Sequence, residues 1–95
     1  SDARKVTPMP YIAPDQRARV SAHGPSSADE LNYAITQLIS RYTIRAQGHH
    51  SYIVRNDVLG ALEGAKLEFV RRVVAPYEDR KRKENGDVYD AILVE

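Results

Sequence analysis

The stretch AKLEFVRRVVAPYEDRKRKENGDVY, residues 65–89, decides how the chain is read. Its first half repeats apolar residues at helical spacing, a proline sits inside it, and a charge run follows. Pro76 has no amide donor, so the spacing predicts a kink or a stop there. Proline also suits the first turn of a helix, and a renewed helix is expected from Pro76 with Asn85-Gly86 as its stop. Upstream, Val58, Leu62, Ala65, Phe69 and Val73 line one side. Leu59, Leu67, Val70, Val74 and Tyr77 widen that apolar arc to about 200°. Asn56 is a good cap and Asp57 favours the positive helix end, which sets this helix at 56–75.

An earlier helix is announced by Ser27 and Glu30, spaced as a capping box. Behind them Leu31, Ala34, Ile35, Leu38, Ile39 and Tyr42 cover an arc of about 140°, giving a helix over 28–45. One facing helix cannot cover the wider arc of the second. The expectation is therefore an all-α single domain spanning 1–95, built on an antiparallel helical hairpin whose spare apolar surface is covered in a homo-oligomer. Residues 1–26 form an extended N-terminal arm and loop, because Pro8, Pro10 and Pro14 forbid a long helix; Pro14 suits the start of a short helical turn. Residues 76–95 form a helical C-terminal extension, in which DVYDAILVE reads equally as a strand or a helix turn.

Composition narrows the function. Fourteen basic and 13 acidic residues leave a formal charge of +1, which argues against duplex DNA binding. No cysteine is present, so disulfides and thiolate metal sites are out of reach and a cytosolic setting is the default. No apolar run reaches the ~18 residues of a membrane span. His49-His50 lacks a third ligand at sensible spacing, so no metal is expected. No nucleophile elbow, dinucleotide fingerprint or phosphate loop occurs, and neither an enzyme nor a cofactor is expected.

The residues that invite a ligand are cations. Arg71 and Arg72 lie just before Pro76, where the helix dipole favours positive charge; that alone accounts for them as structural groups. Paired guanidiniums brought together by oligomer symmetry would equally make a phosphate site of fork geometry. Lys66 projects into the apolar sector between Leu59, Leu62 and Val70, and either joins that site or pairs with Glu63. The run RKRK at 80–83 reads as a solvated face with i,i+4 pairs such as Glu78–Arg82 and Asp79–Lys83. Gly60 and Gly64, one turn apart, each cost ~1 kcal/mol against alanine, so a backbone or a ligand is expected to approach there.

The set MPYI (9–12), LNYAIT (31–36), NDVLGALEGAKLEF (56–69), RRVVAPYEDRK (71–81) and ENGDVY (84–89) resembles a family of small uncharacterised proteins common in tailed bacteriophage genomes. More distantly, a capped helix, a turn and a longer helix ending Arg-x-Val-x-x-Pro look like the helical hairpin of phage anti-CBASS and anti-Thoeris nucleotide sponges. Those proteins are hexameric and sequester cyclic oligonucleotides or cyclic ADP-ribose derivatives. In their hairpin an arginine five residues before the proline belongs to the phosphate site, which is Arg71 here. The resemblance thus implies a non-catalytic phage protein that sequesters a cyclic nucleotide signal in the cytoplasm of an infected bacterium. Arg72 and Lys66 are added to the phosphate site on chemical grounds, and Tyr11 or Tyr33 would stack a base. The competing expectation is an adaptor that binds a host or phage protein through the apolar face of the second helix.

Overall fold

The computed structural model describes residues 7–47 and 51–94, and among them every regular element is helical. The elements are α1 (Pro14–His23), α2 (Ala28–Arg45), α3 (Tyr52–Phe69), a π-helical segment (Val70–Val74), α4 (Ala75–Asn85) and a 3-10 turn (Ala91–Leu93). Contacts divide the chain into two compact units, Ser1–Val58 and Leu59–Glu95.

In the first unit the arm is tied to the start of α2. The Met9 amide donates to Asp29 Oδ1 at 3.0 Å, and Asn32 Nδ2 donates to the Pro8 carbonyl at 2.8 Å. These bonds satisfy arm groups that the prolines leave without helical partners. Pro14 opens α1 as its first residue, and the Gln16 side chain reaches back to accept from the Ala13 amide at 3.3 Å. The expected short turn is thus a helix of 10 residues. It ends at Gly24, whose φ of 89° lets its amide close onto the Val20 carbonyl at 2.8 Å.

The helix expected over 28–45 occupies Ala28–Arg45, with Ser27 Oγ accepting from the Glu30 amide at 3.2 Å. The other half of the capping box differs from expectation. Glu30 passes over Ser27 and accepts instead from the Ser26 amide and hydroxyl, both at 2.9 Å. The cause is α1, whose Arg19 and Gln16 also donate to this carboxylate and draw it inward.

α1 rests on a polar flank of α2. Arg17 lies 5.8 Å from the centre of the Tyr33 ring, and Gln37 Nε2 donates to Ser21 Oγ at 3.2 Å. Between the arm and the two helices, Ile12 and Val20 are the buried apolar residues among those described. The apolar stripe Leu31, Ile35, Leu38 and Tyr42 stays exposed beside the flank that α1 covers.

The start of the next helix corrects the expectation of Asn56 as cap. Ser51 Oγ accepts from the Ile53 and Val54 amides at 3.1 and 3.4 Å, so the helix begins at Tyr52, a turn earlier. With Ser51 serving the orphan amides, Asn56 becomes an interior residue. His49 and His50 lie outside the described residues.

Helical structure then runs without a break from Tyr52 to Asn85. Pro76 neither stops it nor is ignored by it. Five residues before the proline widen into a π segment, in which the Ala75 amide reaches the Val70 carbonyl. A proline inside an α-helix presses its ring on the carbonyl four residues back and leaves that carbonyl without a donor; a wider turn relieves both problems. α4 ends as expected at Asn85, where Gly86 at φ 88° returns its amide to the Arg82 carbonyl at 2.8 Å. The last segment resolves the strand-or-helix alternative as a single 3-10 turn capped by Asp90 Oδ1, which accepts from the Ile92 amide at 3.0 Å.

Candidate functional site

Arg71 and Arg72 lie within the π segment, the only irregular stretch of the helix running from Tyr52 to Asn85. Glu68, one turn earlier, holds both. Arg71 Nη2 donates to Glu68 Oε2 at 2.6 Å, and Arg72 Nη1 lies 3.8 Å from the same oxygen. Each arginine side chain is 67% exposed and Glu68 is 56% exposed. Solvent-exposed pairs of this kind contribute at most about 1 kcal/mol each. Two guanidiniums sharing one carboxylate leave a net positive spot with free N–H groups. The arrangement can take an anion such as a phosphate, but Glu68 already competes for the cations. The carboxylate was legible as the partner three and four residues before the arginines.

Lys66 is exposed and makes no ion pair among the described residues, so the pairing with Glu63, one of the two alternatives for it, is absent there. It sits in the middle of an apolar stripe. Leu59, Leu62, Lys66 and Phe69 alternate steps of three and four residues, the spacing of a helix seam that another helix packs against. Leu59, Leu62, Phe69, Val70, Val73 and Tyr77 are all exposed along this side. A Cβ added at Gly60 or Gly64 would meet nothing within 4 Å, so the chain itself brings no backbone close to either.

The two tyrosines belong to the other unit. Tyr33 carries the Arg17 guanidinium near its ring, which already occupies one aromatic face. Tyr11 projects from the arm and is 76% exposed. The structure therefore joins Arg71 to Arg72 through Glu68, places Lys66 on the apolar stripe, and puts Tyr11 and Tyr33 in a separate unit.

In α4 the charge run pairs differently from expectation. Lys81 Nζ meets Glu84 at 3.3 Å and Arg82 meets Asp79 at 3.9 Å, both three residues apart rather than four. Arg80 and Lys81 flank the Tyr77 ring at 5.7 and 5.8 Å from its centre, a cation–π cluster that the sequence reading passed over. Beside it lies an open groove of about 410 Å³ between α4 and the residues that directly follow it, lined by Glu78, Asp79, Lys81, Arg82, Asp87 and Tyr89.

The only buried charge among the described residues is Glu30. The Ser26 amide, the Arg19 guanidinium, the Ser26 hydroxyl and the Gln16 amide all bond it, and together they hold its pKa at about 2 against the opposing effect of burial. Its lone pairs are taken by the fold, so it is a structural hub. No group of three metal-binding side chains occurs among the described residues.

Fold and surface together define a small all-helical protein with paired exposed cations on a π turn and a long apolar helix face. The chain belongs to DUF6899, a domain of unknown function, whose family model matches residues 9–88. No match was found among curated proteins or among solved structures.

Proposed function

We propose that this chain is a non-catalytic binding module that seats a helix of a protein partner against the apolar face of α3. The observation that supports it is the exposed seam at Leu59, Leu62 and Phe69, interrupted by one lysine. A single polar residue in such a seam sets the register of the incoming helix at some cost in affinity. The test replaces Leu62 and Phe69 together by glutamate and recovers bound proteins by cross-linking from cells that make the protein. A specific partner captured by the native chain and lost from L62E/F69E, with helical content unchanged, is the expected result. Equal capture by both would overturn the reading.

A second reading keeps the nucleotide sponge, and its favouring observation is the pair of exposed guanidiniums on the π segment. Such widened turns recur at functional sites. Under this reading Arg71 and Arg72 bind phosphates of a cyclic nucleotide in a phage-encoded homo-oligomer, with Lys66 nearby and Tyr11 or Tyr33 stacking a base. Calorimetry against cyclic di- and trinucleotides and cyclic ADP-ribose isomers tests it. Heat that disappears in R71A supports a sponge, and silence across the panel well above micromolar protein removes it.

A further inference from the structure

At the C-terminal end of α2, Leu38, Arg41, Tyr42, Ile44 and Arg45 line an open groove of about 680 Å³. Its floor is apolar, and Leu38, Tyr42 and Ile44 are all exposed. Its rim is cationic. Among the described residues Arg41 and Arg45 form no ion pair and no side-chain hydrogen bond, although every other arginine does one or the other or stacks on a ring. Two arginines one turn apart beside bare leucine, tyrosine and isoleucine describe a surface for an acidic, apolar segment.

The chain carries one such segment. Residues 86–94, GDVYDAILV, contain two aspartates and no cation. Val88, Ile92 and Leu93 are 92%, 79% and 70% exposed. The segment is already shaped: Asp87 Oδ1 accepts from the Tyr89 amide at 3.0 Å, and Asp90 caps the 3-10 turn in the same way. Each aspartate therefore keeps a second oxygen free for a guanidinium. Local turns also reduce the ordering entropy that a flexible peptide would lose on docking. Most of this segment lies at or past the end of the family match at residue 88.

We infer that the segment 87–94 of one copy docks in the α2 groove of a second copy. Val88, Ile92 and Leu93 seat on Leu38, Tyr42 and Ile44, and Asp87 and Asp90 face Arg41 and Arg45. This goes beyond the partner helix proposed for α3 and uses none of its residues. Apolar burial supplies the attraction, and the two charge pairs fix orientation.

Complementation between two variants of the full chain tests the exchange. L93E spoils the segment and keeps the groove; R41E/R45E spoils the groove and keeps the segment. All three positions are exposed, so both variants should fold, which circular dichroism checks. In sedimentation velocity each variant alone should self-associate about tenfold more weakly than the native chain, the loss expected when two rim pairs turn repulsive or an apolar anchor is charged. An equimolar mixture pairs one intact segment with one intact groove and should recover association. Variants that associate like the native chain would overturn the inference, as would a mixture no stronger than its components. L62E/F69E leaves groove and segment intact, so failure of the α3 reading is seen separately.

Discussion

Glu30 shows how one carboxylate holds a loop and two helices together. Its pKa falls from the usual 4.5 to about 2 because the folded chain surrounds the charged form with donors. A depressed carboxylate contributes stability that is fully present above its unfolded pKa and is lost as pH falls through the folded one. The melting temperature should therefore hold steady down to about pH 5 and decline between there and pH 2. Glu30→Gln should lower the melting temperature at neutral pH, since an amide group turns its own donors toward Ser26 and Arg19. It should also flatten the acid limb. A parallel acid decline in both proteins would assign that limb to other carboxylates. Glu30 was visible in the sequence as half of a capping box. Its buried role was not, because Arg19 and Gln16 sit 11 and 14 residues away and only packing brings them to it.

At the scale of elements, the π segment sets the behaviour of the helix around it. Pro76→Ala restores an amide and removes the ring, so the reason for the wide turn disappears. The expected outcome is an ordinary α turn through residues 70–75, read as new i to i−4 contacts in amide NMR. Thermal stability should rise by up to ~3 kcal/mol, the cost of an interior proline. An unchanged π pattern would mean that Glu68, Arg71 and Arg72 hold it instead. Most elements were legible locally: Ser27 marked one start, Pro14 another, and Gly86 an end. Asn56 misled because a serine outside the apolar period, Ser51, took the cap. The apolar stripe of α2 was also correctly placed on one face. Periodicity names a face but not its cover, and α1 settled on the neighbouring flank through Tyr33 and Gln37.

For the molecule as a whole, the balance of covered and uncovered apolar residues is decisive. Ile12 and Val20 are the buried hydrophobics of the described residues, against 21 large hydrophobics that are exposed. A chain of 95 residues with so little interior is expected to draw stability from association. Its melting temperature should therefore climb with protein concentration, by about 1.4 kcal/mol of stability for each tenfold increase in a two-state dimer. A melting curve independent of concentration from micromolar to millimolar would show that the single chain suffices. The wide arc on the second helix already pointed to a missing cover. The candidate site was legible only in part: Arg71 and Arg72 were found as neighbours, whereas the tyrosines named with them fall in another unit.

The wide turn at Val70–Val74 has a geometric sequel. A helix advances about 100° per residue, so one surplus residue in a turn offsets all that follows by that angle. The rod from Leu59 to Asn85 thus resembles two screws of equal pitch joined out of phase. Shortening it there by a single residue would let the turn close and leave Tyr77 and the charge run on nearly the same azimuth, whereas closing the turn with no residue removed would swing them about 100° around the axis. Closing or opening the turn at fixed chain length acts as a rotary adjustment, choosing which side of α4 shares an azimuth with the seam of α3.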